Sequence, residues 1–126
     1  TGVWSRRGFK DGGWEAPVLV GTDPAGGSIT GTFVPVRVRA DGSAVLSYER
    51  ASEFAAYAAV YSPASGWTTP VKIDTSSNGA TIYDAYFGMG LANADVALSP
   101  TGATVVWTRQ HQQMTRLNTI WGAQLR

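Results

Sequence analysis

Apolar and polar residues alternate along this chain in short runs, and the runs return in a fixed order. Val34–Ala40 (VPVRVRA) sets valine against Pro or Arg at every second position and leads into Asp41-Gly42, a dipeptide that favours a tight hairpin turn. This is strand A. Ala44–Arg50 reads as strand B and Ala55–Ser62 as strand C; after the turn Ser65-Gly66-Trp67, Pro70–Asp74 reads as strand D. A second set supplies A at Ala94–Ser99, B at Ala103–Arg109 and C at Asn118–Leu125, and the N-terminal stretch supplies C at Gly2–Arg7 and D at Ala16–Val20. The order C, D, A, B, C, D, A, B, C predicts an all-β chain of nine short antiparallel strands. Strands B and C (AVLSY, FAAYAAVY, TVVW) carry the small residues of sheets covered on both faces. Helix competes for Glu53–Val60 because of its alanines, but that segment aligns with GVWSR and TIWGAQL, neither of which has helical character. Gly21–Phe33 and Thr75–Asn93, rich in Gly, Ser and Thr, are the joints between D and the next A.

The order reflects an internal repeat. DGGWEAPVLV (residues 11–20) returns as ASGWTTPVKI (residues 64–73), offset by 53 residues from Trp14 to Trp67. Another aromatic precedes each tryptophan by ten residues: Trp4 before Trp14, Tyr57 before Trp67. ADGSAVLSYER (residues 40–50) likewise matches SPTGATVVWTR (residues 99–109), each a glycine turn feeding an apolar run that ends aromatic-x-Arg.

Composition narrows the functional classes. With 126 residues the chain is one unit. A net charge of +1 and 15% charged residues give little attraction to nucleic acid or to an anionic membrane. The absence of cysteine excludes disulfides, a thiol nucleophile and thiolate metal sites, and no apolar run approaches the length of a membrane span. Thr1 with no charged-then-apolar leader behind it reads as the start of a mature or excised chain.

Four-stranded antiparallel units at this spacing resemble the blades of a β-propeller. The turn between C and D, Tyr61-Ser62-Pro63-Ala64-Ser65-Gly66-Trp67 and Gly8-Phe9-Lys10-Asp11-Gly12-Gly13-Trp14, is similar to a degenerate Asp-box hairpin with the Trp moved next to the Gly. The closer resemblance is to bacterial secreted propeller repeats with a Gly-Trp-x-x-Pro turn, some of them sugar-binding lectins. It implies a secreted location and about two blades over residues 1–126, with one spare strand. Two blades do not close a ring of about four to eight. The resemblance therefore implies completion by other copies, three giving about six blades, or by a complementing chain or larger parent.

Candidate chemistry sits mainly on aromatic-x-Arg. In Tyr48-Glu49-Arg50 and Trp107-Thr108-Arg109 the ring and the guanidinium share one face of strand B. That pairing suits a sugar, with a flat apolar platform beside a planar donor; a core aromatic with an arginine snorkelling to the rim is the commoner use. Arg37 and Arg39 point the same way from strand A, either toward an anionic ligand or into a wet channel. Trp14 and Trp67, and still more Trp4, Tyr57 and Trp121, suit packing between sheets.

Catalytic signals are weak. His111 is the only histidine, there is no Gly-x-Ser-x-Gly elbow, and the acids Asp11, Asp41, Asp74 and Asp84 fall at turns or joints. Zinc lacks ligands, and no EF-hand ladder marks calcium, although Asp23 or Asp84 with backbone carbonyls stays open. Gly88-Met89-Gly90 is too short to cradle phosphate. The leading expectation is a cofactor-free, non-catalytic carbohydrate-binding module that forms homo-oligomers. The alternative is a structural or protein-interaction partial propeller; a fragment of a sialidase-like hydrolase comes third.

Overall fold

The computed structural model describes residues 2–27, 29–30, 34–50, 52, 55–73, 95–110 and 118–125. The Thr75–Asn93 joint, His111, Asp74, Asp84 and the Gly88-Met89-Gly90 segment lie outside the described residues.

The chain is all-β, with antiparallel sheets and no helix among the described residues. In chain order the strands are β1 (Gly2–Ser5), β2 (Val18–Thr22), β3 (Ile29–Thr30), β4 (Val36–Val38), β5 (Ala44–Arg50), β6 (Ala55–Ser62), β7 (Gly66–Trp67), β8 (Val71–Lys72), β9 (Asp95–Ser99), β10 (Gly102–Gln110) and β11 (Asn118–Leu125). Strands B and C of the central unit, β5 and β6, fall at the expected bounds, and β6 is a strand despite its alanines.

Among the described residues there are eleven strands rather than nine, because the expected Gly21–Phe33 joint contains β3 and the expected Ser65-Gly66-Trp67 turn contains β7. Pro70 has no N–H to give the ladder. The register accordingly slips by one residue between Tyr61↔Trp67 and Ala58↔Val71, and β7, in the turn, is separate from β8, in D. Strand A shortens to β4, which pairs one end of β5, and β3 from the preceding joint pairs the other.

Three sheets result: β1–β2, a central sheet four positions wide (β3/β4, β5, β6, β7/β8), and β9–β10–β11. Among the described residues only the central sheet is four strands wide. Its turn at Asp41-Gly42 is the expected hairpin, with Gly42 at φ 82° and the Asp41 carboxylate accepting from the Ser43 N–H at 2.9 Å.

The sheets stack face to face, and this stacking makes the core. On one side of the central sheet, Val45, Ala56 and Ala58 pack with Val96, Ala103 and Val105 of the third sheet. On the other, Leu46, Tyr48, Ala55, Tyr57 and Ala59 pack with Val3 and Val20 of the first. Alanine on β6 allows close approach on both sides, the physical reason a strand so rich in alanine is stable here.

Candidate functional site

Pairing of β5 with β6 puts Tyr48 opposite Tyr57 and Ala44 opposite Tyr61, so all three tyrosines face the first sheet. Tyr48 is 2% exposed. Its ring stacks on Tyr57 at 5.9 Å between centroids, and its phenol end lies over Gly21 on β2, where any side chain would collide with it. Arg50 sits over the Tyr57 ring at 3.8 Å. The ring-plus-guanidinium arrangement of β5 thus forms, but inside the molecule. Trp107 and Arg109 hold the equivalent places on β10, with Trp107 opposite Trp121 and Arg109 opposite Thr119; their side chains lie outside the described residues.

Arg37 and Arg39 share a face, as alternation requires, and both tie the central sheet to the third. Arg37 donates to Asp95 Oδ1 at 2.8 Å and Arg39 to the Gly102 carbonyl at 3.0 Å.

An exposed aromatic-and-arginine cluster occurs instead on the first hairpin. The chain leaves β1 through Arg6 and Arg7, turns at Phe9–Gly13 and returns past Trp14 and Glu15, with Gly8 bridged to Trp14. Trp14 is 60% exposed, with the Arg6 guanidinium over its ring at 5.4 Å. Arg7 forms a two-pronged ion pair with Glu15, its Nε donating to Oε2 at 2.6 Å and its Nη2 to Oε1. The pair raises the Arg7 pKa and holds the Glu15 carboxyl below its ordinary range, chiefly through those hydrogen bonds.

Arg7 also covers the Tyr61 ring at 5.0 Å, Tyr61 meets Trp67 at 5.4 Å with the rings tilted by 59°, and Trp67 Nε1 donates to Ser5 Oγ at 2.7 Å. Ser5, Arg7, Glu15, Tyr61 and Trp67 line a cleft of about 280 Å³ between the first and central sheets. This combines ring faces, a planar donor and a carboxylate acceptor in a space the size of one sugar ring. In sequence Trp14 and Trp67 read as packing residues, and Arg6, Arg7 and Glu15 carried no functional expectation. The adjacent arginines two and three residues after Trp4, a pair absent at the equivalent places after Tyr57 and Trp121, were the available signal.

Two further acids are structural in setting. Asp23 is buried; its carboxylate accepts from the Ser52 hydroxyl and from the Ser52 and Ala25 N–H groups, each at 3.0 Å for the latter two, and these bonds lower its pKa. Glu49 is fully buried on the face toward the third sheet. No cluster of His, Cys, Asp and Glu suited to a metal occurs among the described residues. Comparison with protein-family models, curated proteins and solved structures finds no match to this chain.

Proposed function

We propose that this chain is a non-catalytic carbohydrate-binding module of β-propeller type, taking sugar at the junction between stacked sheets. The observation that carries the reading is the cleft of Ser5, Arg7, Glu15, Tyr61 and Trp67. Pyranoses present an apolar C–H face and a ring of hydroxyls. Tyr61 and Trp67 offer the former a surface, while the Arg7–Glu15 pair offers donors and acceptors in one plane. The cleft falls near the lower end of the roughly 300–1,000 Å³ range of small-molecule sites, which suits a monosaccharide or a terminal residue. Repetition of such junctions around an assembled protein would turn weak single sites into avidity.

A glycan array followed by calorimetry tests the proposal. The whole chain is expected to retain a defined sugar. Arg7→Ala should weaken binding about tenfold with little change in melting temperature, since a charge-assisted hydrogen bond is lost from an exposed pair. Trp67→Ala should lose binding and stability together, because that ring also packs on Tyr61. Failure of the chain to retain any glycan would overturn the reading.

A further inference from the structure

Two hairpins of this chain close with the same turn. In residues 9–13 the Phe9 N–H donates to the Gly13 carbonyl at 2.7 Å and the Gly12 N–H to the Phe9 carbonyl at 3.0 Å. In residues 39–43 the Arg39 N–H donates to the Ser43 carbonyl at 2.8 Å and the Gly42 N–H to the Arg39 carbonyl at 3.0 Å. Each turn sets an aspartate before a glycine of positive φ, with Gly12 at 90° and Gly42 at 82°. An aspartyl carboxyl in that position has the following backbone nitrogen within reach, because glycine has no Cβ to obstruct ring closure.

What distinguishes the turns is the residue after the glycine. Ser43 holds the Asp41 carboxylate twice, its hydroxyl donating to Oδ1 at 2.6 Å and its N–H to the same oxygen at 2.9 Å. Those bonds, the hydroxyl's above all, keep the Asp41 carboxyl below its ordinary pKa. Gly13 has no hydroxyl, and its N–H reaches Asp11 Oδ1 at a longer 3.3 Å. The surroundings differ as well. A Cβ added at Gly42 would meet the Pro63 ring at 3.3 Å, whereas Gly12 has open space at that position, and Asp11, Gly12 and Gly13 are all exposed.

We propose that Asp11 is a site of spontaneous isomerisation to isoaspartate, and that Ser43 protects Asp41 from the same reaction. The Gly12 nitrogen attacks Cγ of the protonated Asp11 carboxyl; the N–Cγ bond forms, and the carboxyl OH leaves with the amide proton as water. Water then opens the succinimide. Breaking the N–Cγ bond restores aspartate, while breaking the bond from the Gly12 nitrogen to the Asp11 main-chain carbonyl carbon leaves isoaspartate. The water lost is regained, so no further reactant is consumed. Closure requires a carboxyl that is protonated and free to turn onto the glycine nitrogen, and the two bonds from Ser43 oppose both.

Isoaspartate lengthens the main chain by a methylene group. At Asp11 the added length falls between Arg7 and Glu15, whose backbones are joined by the bond from the Glu15 N–H to the Arg7 carbonyl at 2.9 Å. The modification therefore sits in the loop that sets the spacing of their ion pair. The inference is independent of sugar binding.

The test stores the full chain in mildly acid buffer below its melting temperature and maps its peptides over time by mass spectrometry. Electron-transfer fragmentation separates isoaspartate from aspartate at each position. Asp11 is expected to convert about tenfold faster than Asp41, the rate equivalent of a hydrogen bond to an ionised acceptor. In urea the gap should close, since both turns are lost. Gly13→Ser, whose Cβ would stand 3.6 Å from Asp11 Oδ1, should slow Asp11 by a similar factor, and Ser43→Gly should speed Asp41. Three results overturn the proposal: equal conversion at the two sites in the folded parent; a gap that persists in urea, which would assign it to sequence alone; or a Gly13→Ser chain with the circular dichroism of the parent and an unchanged rate at Asp11.

Discussion

Gly21 and Asp23 lie two residues apart and show two ways a single residue controls this fold. Gly21 leaves room for the Tyr48 phenol between the first and central sheets. Gly21→Ala should therefore destabilise the chain by about 1–3 kcal/mol, as overpacking does, measured as a lowered urea midpoint. Tyr48→Phe in the same chain should recover part of the loss, because the hydroxyl is the nearest obstacle; equal stability of Gly21→Ala and the parent would refute this packing. Asp23 acts through charge. Its folded pKa lies below its ordinary value because Ser52 and Ala25 hydrogen-bond the ionised form. Its contribution is complete above the ordinary aspartate pKa and is lost as pH falls through the depressed folded value. Asp23→Asn should be less stable than the parent near neutrality, and the difference should shrink as the acid limb is descended. Urea titrations at about pH 7 and about pH 3 check the sign. None of this could be read from the sequence, where Asp23 was only one open cation ligand and Gly21 only the start of a loop.

At the scale of elements, β6 is the informative strand. Its alanines favour helix in isolation, yet it is buried on both faces between partners that leave space for little more than a methyl group. Tertiary packing overrides propensity here. Ala58→Leu, pointing at the third sheet, should cost about 1–3 kcal/mol, whereas Val38→Thr, at an exposed side chain, should stay within about 0.5 kcal/mol of the parent. Thermal unfolding of both variants compares them directly. Strand bounds were legible because β5 and β6 are bracketed by turn residues such as Asp41-Gly42 and Gly66. The strand β7 within the expected turn was less so: Pro70 announces a missing donor, but the register slip between β7 and β8 depends on where Tyr57 and Ala58 sit on the partner strand.

At the scale of the whole molecule, stability should be graded across the stack. Among the described residues β5 and β6 are each paired on both edges and covered on both faces, while β1 and β2 pair only with each other. Opening free energy follows that difference in shared contacts. Amides of β1 and β2 should exchange at least about tenfold faster than those of β5 and β6; uniform protection across the three sheets would contradict the graded stack.

The alternation of apolar residues, the glycine turns and the repeat offset were enough to determine an all-β chain and the two-sided burial of β5 and β6, though not of β10, where Val106 is exposed. These are local or periodic properties, fixed by side-chain direction and turn chemistry within a few residues. What only the tertiary structure decided is which aromatic-and-arginine pairs face inward and which face water. Arg50 over Tyr57 and Arg6 over Trp14 pair the same groups, but Tyr57 is buried between two stacked sheets and Trp14 is 60% exposed. Burial depends on the neighbouring sheet, and no pattern within the strand itself records whether that neighbour is present.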